Sequence, residues 1–361
     1  MNSSSKQETM DNSTLDQMNS SSYGCPWTVS ASLTSILAVI NTITLIGNML
    51  IVTVFFKTPS LKTSTNYYIV NMAFGDLLRP FFSWPLYVSE GMLTRNVFIS
   101  GSWALAACKL GMYFRAVSQI VSILSLVLIA LDRFVAIVFP FKVSVMNGKI
   151  RVILLLVSWL IPLLGVLPYA LFSKITTVEN QRVCRFIASQ EVNRILHAIG
   201  ITIGYFIPLI TIICLYSIIT IKLKQSTKNC NIQASQDNVE RSQQSRKILK
   251  ILITIVIAFF VCWTPLCIYV FLRTFFPAIF PREKCFLFTS FFFYVFPSLS
   301  TAINPVTLFL FSTNYKQALR TLSSKVFLLC RCRYKAFQPN KTMVVGRHDW
   351  KNYELRQTKI Q

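Results

Sequence analysis

Seven apolar stretches dominate the chain, at roughly 31–56, 66–88, 104–138, 152–172, 195–221, 250–274 and 285–311. Each reaches the roughly 20 residues that a helix needs to cross the hydrocarbon core of a bilayer. Backbone N–H and C=O groups find no water there, so runs of this length are expected as helices. Prolines recur inside them, at Pro80, Pro85, Pro162, Pro168, Pro208, Pro265, Pro297 and Pro305. In a soluble helix each would cost about 3 kcal/mol, whereas neighbouring membrane helices satisfy the carbonyls that a proline releases. Only 14% of the residues are charged, against about 25% in soluble domains, which argues against a soluble enzyme. The expected fold is an all-α membrane protein, a seven-transmembrane helix bundle over residues 31–311.

The segments between the spans give the orientation. Residues 1–30 are polar and rich in Ser, Asn and Thr, with no apolar run of the kind a cleavable signal needs. Asn2, Asn12 and Asn19 each open an Asn-x-Ser/Thr triplet, so this segment reads as an extracellular, glycosylated tail. Lysines and arginines collect on the other side: Lys57, Lys62, Lys142, Lys149, Arg151, the 222–250 loop and the tail from Lys316 onward. Such an excess marks the cytoplasmic face, so the N-terminus is expected outside and the C-terminus inside. The net charge of +23 then describes an inner face beside anionic membrane lipids and a partner protein, and it does not point to nucleic acid.

Four cysteines, Cys25, Cys108, Cys184 and Cys285, fall on the outer side, where disulfides persist; four cysteines allow three pairings. Cys330 and Cys332 lie at and just after the end of an amphipathic stretch over 312–330 and are candidate lipidation sites at a membrane-surface helix. Residues 331–361 read as a cytoplasmic tail.

Ionisable side chains inside spans are costly and usually functional. Those that stand out here are Asp76, Arg79, Arg115 and the pair Asp132-Arg133. Arg115 and Arg133 lie about five turns apart, ~27 Å along one helix face, and Gln119 and Ser122 fall on the same stripe. The third span thus carries a polar seam along its length.

These motifs, in this order, resemble those of rhodopsin-like G-protein-coupled receptors. The resemblance covers about residues 31–330. It rests on Gly47-Asn48 in the first span, Asn71 to Asp76 in the second, and Trp103 and Cys108 before and at the top of the third. Asp132-Arg133-Phe134 follows, then Trp159, then Pro208 with Tyr216. Phe259, Cys262, Trp263 and Pro265 mark the sixth span, and Asn304-Pro305 the seventh. The branch most resembled is that of peptide receptors. The resemblance implies a disulfide between Cys108 and Cys184, and a second between Cys25 and Cys285 like that of several peptide and nucleotide receptors.

The resemblance implies a ligand-driven switch. An outer ligand biases the sixth-helix kink at Trp263 and Pro265 and opens an inner cleft for a heterotrimeric G protein beside Asp132, Arg133, Tyr216, Asn304 and Pro305. Arrestin is a candidate second partner at that face. A sodium ion would be held by Asp76, Ser122, Ser300 and Asn304. Arg79, three residues beyond Asp76, would pair with that carboxylate, point into the outer cavity or reach toward lipid headgroups. The chain departs from the family pattern at Phe134 and Leu308, which stand where tyrosine is usual. Ser245 lies near where some members carry an acid that restrains the triplet arginine. Modest ligand-independent signalling is expected from the missing restraint.

The outer cavity is expected to be lined by Trp84, Tyr87, Arg115, Gln119, His197, Leu266, Val270, Arg273 and Tyr294. Arg115 occupies the place where amine receptors carry an aspartate, so an ammonium ligand would meet repulsion. Ser298 replaces the lysine that opsins use for retinal. A guanidinium instead suits a carboxylate, sulfate or phosphate. The expected ligand is a neuropeptide-like peptide of acidic or carboxylate character, with a nucleotide or a carboxylic acid as the alternative. A secondary transporter ranks well below, for the chain shows no internal repeat and has only 11 glycines. No His-Glu-x-x-His run or nucleophile elbow is present, and the two histidines, His197 and His348, supply metal chemistry poorly. No enzyme activity and no cofactor beyond sodium are expected.

Overall fold

The computed structural model describes residues 27–83, 103–140, 147–178, 181–230, 236–279 and 291–336. Trp84, Tyr87, Cys25, Cys285, Asn2, Asn12 and Asn19 lie outside the described residues. The helices are α1 (Trp27–Lys57), α2 (Ser64–Phe82), α3 (Ala104–Val138), α4 (Gly148–Gly165), α5 (Leu167–Phe172), α6 (Gln190–Ile201), α7 (Ile207–Cys230), α8 (Gln236–Phe275), α9 (Phe296–Phe311) and α10 (Thr313–Ala336). Among the described residues, six helical segments are long and apolar enough to cross a membrane. The second expected span, α2, falls outside those six; it carries Asn71, Asp76 and Arg79, and the described residues stop just beyond it.

Prolines decide how these helices run. Pro208 and Pro297 each lack the N–H that would bond the carbonyl four residues back. Those carbonyls, of Gly204 and Phe293, lie inside two π-helical turns, Thr202–Phe206 and Phe291–Val295. The wider turn relieves the clash and shifts the register, so that Ile207 N–H reaches the Thr202 carbonyl instead. Pro305 is absorbed differently. The Thr301 carbonyl it frees accepts a bond from Asn48 Nδ2 at 3.3 Å, across from α1. Elsewhere, side chains start helices in the ordinary way: Asn147 Oδ1 caps Ile150 N–H of α4 at 3.0 Å, and Ser189 Oγ caps Val192 N–H of α6.

α3 is the central helix, packed against α2, α4 and α7, while α8 meets α9, α9 meets α1, and α1 meets α2. Closest approach is made by glycine. A Cβ on Gly47 would sit 2.6 Å from the Pro305 ring, and one on Gly75 2.7 Å from Val121 Cγ1. Polar side chains fill the interior: Thr44, Asn48, Asn71, Asp76, Ser118, Ser122, Ser125, Ser300 and Asn304 are all buried. The outer faces carry Ile153, Leu156, Leu160, Leu164, Ile210, Val261 and Leu310, each more than half exposed. Water would not tolerate such a surface; lipid does, and helices in lipid associate through small residues and hydrogen bonds.

One departure from the all-α expectation appears among the described residues. Ser173–Val178 and Gln181–Phe186 pair as an antiparallel hairpin, β1 and β2, with Ile175 opposite Cys184. The segment contains Ile175, Thr176, Thr177 and Val178, whose branched β-carbons suit a strand. A disulfide joins Cys184 to Cys108 on the first turns of α3. At the other end of α3, Ser312 breaks the chain between α9 and α10. Tyr315 is buried, which raises its phenol above the usual range, and its hydroxyl faces Asn66 Oδ1 at 3.4 Å. α10 runs to Ala336, six residues past the expected end of the amphipathic stretch. From Ala318 the described residues belong to a second compact unit, and Cys330 and Cys332 fall on its helix.

Candidate functional site

The polar interior resolves into three levels along α3. The first lies near the disulfide. Arg115 donates to Met112 Sδ at 3.2 Å, and its guanidinium carbon sits 5.6 Å from the ring centre of Tyr294. Tyr294 belongs to the π turn before Pro297. Gln119 stands one turn along α3 from Arg115, half-buried. Two other expected lining residues are engaged locally. His197 Nδ1 bonds Thr274 Oγ1 at 2.8 Å, tying α6 to α8. Arg273 donates to the Tyr269 hydroxyl and lies over its ring, which stacks on Phe292. The structure therefore brings Arg115 and Tyr294 together and gives His197 and Arg273 partners on α8.

The second level centres on Asp76 and Trp263. Asp76 is fully buried; Ser122 Oγ donates to its Oδ1, and Asn304 Nδ2 donates to its Oδ2 at 2.8 Å. Ser300, expected with these residues around a sodium ion, accepts from Trp263 Nε1 at 3.1 Å and donates to the Pro297 carbonyl at 2.7 Å. Arg79 is 0% exposed, which rules out a path to the lipid headgroups, and its guanidinium carbon lies 5.5 Å from the Trp263 ring centre. Phe259 stacks on the Trp263 ring, with centroids 5.7 Å apart. Tyr205, from the π turn before Pro208, bonds Thr264 beside Pro265 at 2.5 Å. Neither Tyr205 nor the Arg79–Trp263 contact was anticipated. The prolines three residues after Tyr205 and Tyr294 were the available signal, since both mark where a widened turn swings an aromatic residue inward.

Third comes the Asp132 end. Asp132 Oδ2 accepts from Thr65 Oγ1 at 2.5 Å and from Arg133 Nη2 at 2.7 Å. Arg133 is thus held by its own neighbour, and Thr65 fixes that neighbour from α2. Tyr216 is buried nearby, within electrostatic reach of Arg133, and its hydroxyl has no hydrogen-bond partner among the described residues. Leu308 is buried and offers no hydroxyl. Between the second and third levels, Asn71 joins three helices: its Nδ2 donates to Ser125 Oγ and Ser158 Oγ, and its Oδ1 accepts from Trp159 Nε1 at 2.8 Å. No group of three His, Cys, Asp or Glu side chains suited to a metal ion occurs among the described residues.

Residues 47–307 match the family described as 7 transmembrane receptor (rhodopsin family). The chain belongs to that family. This rhodopsin-family receptor is a multi-pass membrane protein of the plasma membrane, and not an enzyme. It is similar to the RYamide receptor of Drosophila melanogaster, 30% identical over 61% of this chain and 48% of the relative. It is also similar to the substance-K receptor of Bos taurus, 29% identical over 64% and 60%, and to the allatostatin-A receptor of Bombyx mori, 28% identical over 62% and 60%. The matched stretch thus spans about half to three-fifths of these relatives' own lengths.

Proposed function

We propose that this receptor binds an extracellular peptide and relays its presence to a heterotrimeric G protein, with the N-terminus outside and the C-terminus inside. The peptide carries an acidic side chain or a free carboxylate, which docks on Arg115. The observation that carries this reading is the half-buried guanidinium of Arg115 beside the Tyr294 ring at the disulfide end of α3. A cation partly removed from water, within reach of an aromatic face, is pre-organised for an anionic group. Relatives named for peptide ligands support the peptide over a small anion.

Signalling then follows from population shift. A ligand that prefers one packing of α8 around Trp263 and Pro265 favours that packing, and a G protein that prefers the same packing reinforces it. Asp132, Arg133 and Tyr216 form the inner end of the switch. Arrestin and membrane lipid engage the same face, and Cys330 and Cys332 anchor α10 through acyl chains.

The test is G-protein dissociation in living cells, with the wild type, Arg133→Ala and Arg115→Gln at matched surface expression. Peptide pools are applied as free acids and as C-terminal amides or with neutralised acidic side chains. Wild-type signal that vanishes in Arg133→Ala supports the coupling. A potency loss on neutralising the peptide that is absent in Arg115→Gln supports the docking contact. Equal potency of acidic and neutralised peptides on the wild type overturns it.

A further inference from the structure

The sodium site that the family resemblance implies does not fit the residues present. Each carboxylate oxygen of Asp76 already accepts one hydrogen bond, from Ser122 and from Asn304, and Ser300 is turned away to Trp263. A positive charge already lies there. Arg79 follows Asp76 by three residues on α2, which places the two on one helix face with Cβ atoms about 5–6 Å apart. Both are 0% exposed. The far end of Arg79 rests over the Trp263 ring. Among the described residues, these are the fully buried charges in the middle of the bundle, and together they are neutral.

We propose that the Arg79 guanidinium is the permanent counter-cation of Asp76, in the place of an exchangeable sodium ion, and that it links Asp76 directly to Trp263. A sodium ion beside the same carboxylate would face a like charge in a poorly screened interior. At about 5 Å and an effective dielectric of ~20, that repulsion lowers sodium affinity on the order of 100-fold. The arginine has a second consequence. A sodium ion leaves and returns with conditions outside the protein, whereas a tethered cation stays at every ionic composition. Its contact with Trp263 changes only when α8 moves against α2, so the resting packing of this receptor is set by its own chain and is indifferent to sodium. The inference stands apart from the identity of the ligand and from G-protein coupling.

Thermal unfolding of the full-length receptor in detergent tests it without any ligand. Sodium chloride is exchanged for N-methylglucamine chloride at a fixed ionic strength of about 0.15 M. For the wild type the expected result is the same Tm in both salts. Arg79→Leu leaves Asp76 without its cation, so its Tm is expected to rise by about 2 °C or more in sodium, as binding to the folded state requires. Asp76→Asn combined with Arg79→Leu is expected to lose that rise. A saturable, sodium-specific rise in the wild type overturns the proposal, and so does a folded Arg79→Leu receptor with no sodium response. Where Arg79→Leu is poorly folded, Asp76→Leu combined with Arg79→Leu reads the pairing independently. Recovery of surface expression in the double variant above either single one supports it, and a strictly additive loss overturns it.

Discussion

Gly47 faces Pro305 so closely that no side chain fits between them, because the pyrrolidine ring cannot rotate away. Gly47→Ala is therefore expected to force α1 from α9 and to destabilise the receptor by about 1–3 kcal/mol. Gly200 on α6 provides the contrast, since nothing lies within 4 Å of the Cβ it would gain. Gly200→Ala is expected to leave stability unchanged or to raise it by about 0.5–1 kcal/mol through helix propensity. Tm values of the two variants in detergent check both outcomes, and equal losses would show that the 2.6 Å contact does not govern packing. Residue by residue, the sequence marked Gly47, Asn71, Asp76, Arg133 and Trp263 through their motif positions. It carried no sign that Ser300 would turn to Trp263, because a serine hydroxyl takes whichever partner lies nearest and that is set by the neighbouring helix.

Helices respond to proline in two ways in this bundle, and each has a measurable counterpart. Where a partner helix supplies a donor, the helix stays α, as at Pro305 with Asn48. Asn48→Leu leaves the Thr301 carbonyl without that donor and is expected to cost about 1 kcal/mol, read as a Tm loss absent in a surface control such as Ile43→Leu. Before Pro208 and Pro297 the turn widens instead. Pro208→Ala restores the missing N–H, so the turn at 202–206 is expected to close to an α-helix and rotate Tyr205 off Thr264. Tyr205→Phe removes the same bond without touching the backbone. Both variants are expected to change basal G-protein signalling in the same direction, and opposite changes would break the link between the turn and the switch. The prolines themselves were plain in the sequence. Which of the two responses each provokes was not, because it depends on a donor more than 250 residues away in the chain.

At the scale of the whole receptor, the Asp132 end is restrained by two contacts on one oxygen, from Thr65 and from Arg133. Thr65→Val keeps the shape and removes one of them, which frees Asp132 and its arginine together. Basal G-protein dissociation is expected to rise about two- to five-fold over the wild type, the range that a coupling near 1 kcal/mol allows. An unchanged basal signal at matched surface expression would remove Thr65 from the switch. Orientation has its own readout: an epitope at residue 1 is expected to stain on intact cells, and one after residue 361 only after permeabilisation. The reverse pattern would overturn the topology drawn from the lysines and arginines.

The sequence by itself determined the bundle, its membrane environment and its family. The bundle and its environment follow from the length of apolar runs and from charges that no lipid-facing position tolerates; the family follows from motifs in a fixed order, from Gly47-Asn48 to Asn304-Pro305. Tertiary structure decided the rest. Whether Arg79 reaches lipid or the core depends on the space α8 leaves beside α2, and a long flexible side chain is compatible with either. The hairpin of Ser173–Val178 and Gln181–Phe186 is tied to α3 through Cys184 and Cys108, a contact with another helix that its own residue pattern does not specify. His197 and Arg273 were expected to line the cavity, and in the folded bundle Thr274 and Tyr269 of α8 bond them. Phase along a helix is written in the sequence, whereas the separation and rotation between helices, which choose a side chain's partner, exist only in the folded bundle.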